Sequence, residues 1–312
     1  MTNNNQPRPG VLLLPPGVFN VHKEKGFTSH DVVAVIRKIT GIKRVGHTGT
    51  LDPNATGVLP ICVGRATKLS DYLMGKDKTY IAEVVLGITT DSGDMTGNVL
   101  SRKNADCSEN EVTDAVLSFK FSNKAEYLQI PPMYSAIKIG GKKLYELARK
   151  GEVVERQPRP VIIHDIRVLE FFSGGSRFLI EVNCSKGTYI RSLCMDIGEV
   201  LGTGAAMGDL IRTKSGGFSI ENAVKLADIK AAAEKGDLKD LLIGVEKAFP
   251  CPVVYVGDSA VNLARNGASI DCACVRGGEA LRGGEKYWLA AEGGVIGLFY
   301  VRQNKLFPEV ML

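Results

Sequence analysis

The sequence predicts an α+β protein, with one large domain up to about residue 250 and a small, mostly β tail. Three observations carry this reading. Strand-like and helical runs interleave without the regular repeat of a doubly wound sheet. From Pro252 onward, short strand patterns around glycine pairs replace the amphipathic helices. Finally, 312 residues with 44% hydrophobic and 23% charged side chains suit a folded chain that builds a sizeable core without disulfide or metal staples.

Residues 1–10 are polar and rich in Asn and Pro; they lack a basic segment followed by an apolar run, so they read as a frayed tail and not a signal peptide. The large domain is placed at 11–250. Residues 11–14 and 18–23 are strand-like around Pro15-Pro16-Gly17. A helix follows, with Ser29 as N-cap, Asp31 in the first turn, Val32, Val35, Ile36 and Ile39 at helical spacing, and Gly41 closing it. Residues 44–57 carry three glycines and Asp52-Pro53-Asn54, the composition of an irregular loop. Residues 80–86 read as a buried strand, and Ser108 with Glu111 forms a capping-box pattern ahead of Val112, Ala115 and Val116.

Further along, 144–150 is a short helix closed by Gly151. Residues 161–171 and 178–183 read as paired strands, the second with Phe178, Ile180 and Val182 alternating. Residues 188–201 form a helix with Ile190, Leu193, Ile197 and Leu201 on one face and Gly202 at its end. In the tail domain, placed at 251–312, residues 253–256 are strand-like and 259–265 helical with Gly267 closing. Residues 287–291 and 295–301 are strands across Gly293-Gly294.

The net charge of +5 is concentrated. Between Lys120 and Arg159 stand nine Lys or Arg against four acids, a difference equal to the whole excess. The pattern fits a local polyanion-facing patch, or else a solvated helix face with incidental lysines. Seven scattered cysteines, mostly among apolar neighbours, and the lack of any apolar run near the roughly 20 residues that cross a bilayer place the protein in the cytoplasm, with no membrane partner. Gly202-Thr203-Gly204 follows a helix and is no dinucleotide fingerprint, and Cys272 and Cys274 lack the second pair or histidines of a zinc site. No metal is expected.

The segment most marked for chemistry is Gly46-His47-Thr48-Gly49-Thr50-Leu51-Asp52-Pro53-Asn54-Ala55-Thr56-Gly57. Its glycines let backbone approach a ligand closely, and on pattern alone Asp52 is a turn residue. Continued through Val58-Leu59-Pro60 and Gly64-Arg65-Ala66-Thr67-Lys68, the segment resembles the signature loop of the TruB family of pseudouridine synthases, whose aspartate is essential. Three further blocks occur in the family's order: Lys23 with Gly26-Phe27-Thr28-Ser29, then Lys78-Thr79-Tyr80, then residues 184–191 ending Tyr189-Ile190-Arg191. Residues 129–136, Gln-Ile-Pro-Pro-Met-Tyr-Ser-Ala, are similar to another family block. Glu24 stands where the family has proline, a difference confined to a turn.

The resemblance implies a pseudouridine synthase catalytic fold, with a mixed, largely antiparallel sheet flanked by helices and loops, plus a PUA-like RNA-binding tail. It implies an isomerase that flips the T-loop uridine of tRNA, position 55, out of its stack and cleaves the N-glycosidic bond. A carbon–carbon bond is then formed in its place, without cofactor, guide RNA or protein partner, by a monomer. Asp52 would serve as nucleophile or base, attacking the base or the sugar carbon or taking a sugar proton. Arg191 would pair with it, and Tyr80 would stack on the base and take part in proton transfer. Substrate-binding roles fall to His47, Lys23, Lys68, Tyr189 and the apolar Leu210, with Lys23 and Lys68 either contacting phosphate or steadying the active-site loops. On pattern alone Arg191 is a helix-surface arginine, Tyr80 a core aromatic, Leu210 core and His47 a loop histidine. Two rivals are an RNA-binding or RNA-folding module of the same ancestry with catalysis lost or secondary, and a guide-RNA-dependent relative. Retention of Asp52, Tyr80 and Arg191 argues against the first, and the absence of long charged tails against the second.

Overall fold

The computed structural model describes residues 14–120, 127–152, 154–172 and 175–312. The tail at 1–10, most of the run at 11–14, and Lys124 and Glu126 of the basic stretch lie outside the described residues. The chain gathers into two compact units that alternate along the sequence: one takes residues through Pro53, Val58–Gly75 and Gly217–Leu312, the other Asn54–Gly57 and Lys76–Gly216.

The first unit begins with strand Gly17–Lys23, buried along nearly its whole length. Val224–Lys225 joins it in parallel, Val21 opposite Val224, and Ile243–Gly244 antiparallel, Gly17 opposite Gly244. Helix Ser29–Thr40 follows, capped by Thr28 and not by the expected Ser29. The Thr28 hydroxyl accepts from the Asp31 N–H, and the Asp31 carboxylate accepts from the Thr28 N–H and hydroxyl. These bonds hold the Asp31 carboxyl below its usual range. Gly41, at φ 70, closes the helix. The irregular loop is narrower than expected, because Val45–His47 pairs antiparallel with the end of strand Thr56–Val63, Val45 opposite Val63 and His47 opposite Ile61. Only residues 48–55 are loop.

The same unit contains a five-stranded sheet in the order Val253–Tyr255, Lys286–Ala291, Gly294–Arg302, Lys305–Met311, Ile270–Asp271. Its Trp288, Leu298 and Val310 share one buried cluster with Val18, Val58, Cys62, Leu69 and Phe218. Each such side chain withdrawn from water contributes about 1.5–3 kcal/mol. The Trp288 indole N–H donates to Phe249 O at 2.8 Å, so the only tryptophan is both buried and satisfied.

The second unit is built on an antiparallel run of strands in the order Ile163–Phe172, Arg177–Cys184, Lys78–Leu86, Ala205–Ser215. Thr56 and Gly57 add to it in parallel, opposite Ile211 and Arg212. The strand expected at 161–171 breaks at Ile162, whose N–H goes to the Ser185 hydroxyl. Before that break, Arg159–Val161 pairs with Tyr127–Gln129. Helix Ile190–Val200 starts two residues later than expected, since Tyr189 is extended at φ −99, ψ 111. It packs against Ala205–Ser215 so closely that a Cβ on Gly198 would stand 2.3 Å from Ala205 N. Ile190, Leu193 and Ile197 form its buried face. Helix Glu109–Leu117 has the expected Ser108–Glu111 capping box. The architecture is therefore α+β with a mixed, largely antiparallel sheet and a strand-rich C-terminal region.

Candidate active site

Asp52 is half-buried in the 48–55 loop of the first unit, two residues before the chain enters the second. Both its neighbours are pinned. The Leu51 N–H donates to the Ser29 hydroxyl at 2.9 Å, and that hydroxyl donates back to Leu51 O at 3.3 Å. Ser29 is thus taken up by a long-range contact, which explains why Thr28 does the capping. On the other side, Pro53 O accepts from the Gly26 N–H at 2.9 Å and from the Lys23 ammonium at 3.0 Å. Lys23 is fully buried and also donates to Phe27 O and Glu24 O. Its geometry is that of a loop tether. His47 stands at the start of the loop, edge-on to His30 with ring centroids 5.3 Å apart, and its Nδ1 accepts from the Gly49 N–H.

In the second unit, register gathers a different set. Tyr80 lies opposite Arg212 and Val182, Leu210 opposite Ala82, and Lys78 opposite Cys184 and Ser215. Directly opposed residues and every second residue share a face, so Lys78, Tyr80, Leu210 and Arg212 form one side-chain patch. All four are buried. Burial, with the Arg212 charge second, pulls the Lys78 ammonium down to about 8. Gly57, opposite Arg212, has φ +102, and a Cβ there would lie 2.2 Å from Arg212 O. Only glycine lets the loop end meet this strand.

Arg191, in the first turn of Ile190–Val200, is 5% exposed. Its guanidinium donates to Ser92 O at 3.0 Å and Tyr134 O at 2.8 Å, and its Nε lies 3.8 Å from the Asp94 carboxylate. Tyr189, just before the helix, has both main-chain groups bonded to the side-chain amide of Gln129. Lys78 and Gln129 fall within blocks that resemble the family's, but residue type and spacing give their side chains, and those of Asp94 and Arg212, no role. What marks them is their burial and their partners, which exist only in the folded chain.

The Lys68 ammonium donates to Met311 O at 2.7 Å. In the basic stretch, a small hairpin sets Lys138 opposite Lys143 and Ile139 opposite Lys142 across Gly140-Gly141. Like charges directly opposed repel, a cost that a polyanion would relieve. Burial, together with the nearby Glu199, pushes the Asp196 carboxyl up to about 6, and the Tyr127 hydroxyl donates to it.

The chain has the pseudouridine synthase fold, as two solved complexes at 26% and 27% identity show. An H/ACA ribonucleoprotein bound to a substrate RNA containing 2'-deoxyuridine superposes with a TM-score of 0.69 at 26% identity, over 99% of this chain and 92% of that one. A Cbf5-Nop10-Gar1 complex gives 0.70 at 27%, over 99% and 91%. The chain belongs to the TruB family: the model of the N-terminal domain of TruB family pseudouridylate synthases matches residues 37–190, and that of the tRNA pseudouridylate synthase B C-terminal domain matches 191–250. It is 52% identical over 222 residues to tRNA pseudouridine synthase B of Alkaliphilus oremlandii, covering 71% of this chain and 72% of the relative. Against the same-named protein of Clostridium tetani it is 52% identical over 234 residues, 75% and 78% of the two chains. Among the described residues, no helix is long and apolar enough to cross a membrane.

Proposed function

We propose that this chain is a tRNA pseudouridine synthase that isomerises the T-loop uridine at position 55, acting as a monomer without guide RNA. The observation that carries the reading is the pinned Asp52 loop, in a chain 52% identical to a curated tRNA pseudouridine synthase B. The reaction breaks the N-glycosidic bond, turns the uracil and joins its carbon 5 to the same ribose; carbon 5 gives up its proton, and the freed ring nitrogen N1 ends with one, so that the product is an isomer of the substrate. Atoms and electrons balance without redox chemistry. Asp52 supplies the carboxylate, as nucleophile at the base or sugar carbon or as base toward a sugar proton. By resemblance to the family, Arg191 pairs with this acid and orients it. Tyr80 stacks on the uracil and takes part in proton transfer, with Leu210 as apolar wall.

Extraction of the base from its stack costs about a few kcal/mol. Phosphate contacts along residues 120–159 offset it, with the Lys138–Lys143 hairpin foremost. His47 and Tyr189 contact the splayed loop, Lys23 holds Asp52 in place through Pro53, and Lys68 ties its own segment to the last strand. The 251–312 region adds a PUA-like RNA-binding surface, and the protein works in the cytoplasm.

The test is tritium release from unmodified tRNA labelled at uridine carbon 5, with tRNA binding assayed separately. Release by the wild type and none by Asp52→Ala, both binding tRNA, is the expected result. A wild-type protein that binds tRNA yet releases no tritium sinks the proposal in favour of a binding module.

A further inference from the structure

We propose that Gln129 is a positioning residue that sets Arg191 for the reaction; this rests on the catalytic reading of Arg191 above. Helix Ile190–Val200 begins without a side-chain cap. In place of one, the Gln129 amide grips the peptide groups of Tyr189. Its Nε2 donates to Tyr189 O at 3.0 Å, and its Oε1 accepts from the Tyr189 N–H at 2.8 Å. The side chain thus imitates a neighbouring β-strand at the one extended residue before the helix. A carboxamide offers donor and acceptor side by side in one plane, which an ionised carboxylate does not, and at 1% exposure neither bond is exchanged for water without cost.

The grip extends along the segment that follows. Ser192 donates to Ile130 O at 2.8 Å, and the Arg191 guanidinium donates to Tyr134 O at 2.8 Å. Residues 129–134 therefore hold the main chain before Arg191, the guanidinium itself, and the residue after it. Arg156 in turn donates to Pro131 O at 3.1 Å, and strand pairing sets Gln129 opposite Arg159. Gln129 meets the helix start through its side chain, whereas Ile130 and Tyr134 do so through main-chain carbonyls. A substitution at Gln129 therefore releases the helix start and leaves the strand pairing in place.

The test is single-turnover tritium release with Gln129→Ala and Gln129→Glu, normalised to the fraction of protein that binds tRNA, so that a partly folded preparation still yields a rate per binding-competent molecule. Gln129→Glu keeps the size and one acceptor and sets a carboxylate oxygen against Tyr189 O. Both variants are expected to lose about tenfold to a hundredfold in the rate constant, the scale of an ångström-level misplacement, with the tRNA Kd changed less than about threefold. In an Arg191→Lys background, Gln129→Ala is expected to cost less than about twofold more, since both changes act at one point. A Gln129→Ala rate within about twofold of wild type, or losses that multiply in the double variant, overturns the proposal. Full activity of Arg191→Lys alone would instead overturn the role of Arg191.

Discussion

Lys78 gives a prediction whose magnitude follows from its surroundings. It is 7% exposed, donates to Lys76 O at 2.5 Å, and lies near the cations Arg212 and Lys186 as well as Asp77 and Cys184. Burial first, and Arg212 second, bring its ammonium from 10.5 down to about 8. At about 1.4 kcal/mol per tenfold change in proton affinity, the charged form costs the fold about 3 kcal/mol. The sign follows from proton counting. Between pH 8 and 10.5 the folded protein has released a proton that the unfolded chain retains, so stability rises with pH across that window. The gain is complete above 10.5 and lost as pH falls through 8. Lys78→Met, similar in length and apolar, removes the titration. Its stability relative to wild type, from urea unfolding followed by far-UV circular dichroism, is therefore expected to be about 3 kcal/mol more favourable at about pH 7 than at about pH 10.5. A difference between variant and wild type that is flat across this range to within about 0.5 kcal/mol refutes the account of Lys78 as a costly buried cation.

Gly57→Ala is expected to destabilise by about 3 kcal/mol or more, since it adds a Cβ at φ +102 against the Arg212 carbonyl; a urea midpoint unchanged from wild type would count against this geometry. Asp196→Asn is expected to stabilise by up to about 3 kcal/mol at about pH 7. Burial holds the native carboxyl up at about 6, so its contribution is present below 3.8 and lost as pH rises through 6, and the variant's advantage should vanish by about pH 4 in the same unfolding assay. Replacing Lys138 and Lys142 by Gln should weaken tRNA binding and flatten the plot of log Kd against log salt by about one unit per lost phosphate contact. An unchanged slope in a titration over salt would move the RNA contact elsewhere.

Elements whose stability is local are legible in the sequence. The helix at 29–40 shows in its apolar spacing, the strand at 178–183 in its alternation, and the Ser108–Glu111 cap in its side-chain chemistry. Strand Thr56–Val63 is hidden by Pro60 and by burial on both faces, which leaves no alternation to see. Strand Ala205–Ser215 is hidden by irregularities between Met207 and Leu210 and between Arg212 and Lys214, which shift the period of two. Pro308 similarly interrupts the pattern of Lys305–Met311. Ser29 reads as a cap because its contact with Leu51, 22 residues away, is invisible to local chemistry. The same holds for the site. Asp52, Tyr80 and Arg191 stand out through a family resemblance that also includes the block holding Gln129, whereas the partners of Gln129 and Arg212 are set by burial and register that only the folded chain defines.

The Asp52 loop is secured by two kinds of physics. Next to the aspartate, on either side, the contacts are hydrogen bonds to peptide groups: Ser29 with Leu51, and Gly26 and Lys23 with Pro53 O. Where the loop ends, the restraint is steric, a glycine at φ +102 against the backbone of Arg212. Hydrogen bonds to main-chain atoms fix where a peptide lies and make no demand on the side chain it carries, so they can hold residues 51 and 53 without using the carboxylate of 52. The proposed reaction, in which the Asp52 carboxylate meets a turning base and its ribose, would tolerate little backbone drift, since misplacement by about 1 Å can cost about a hundredfold. On the proposed function, the buried ammonium of Lys23 serves the reaction through its three carbonyl contacts to the loop and its approach. Restraining the loop this way places the energetic cost of a buried cation in the tether, where three acceptors meet it.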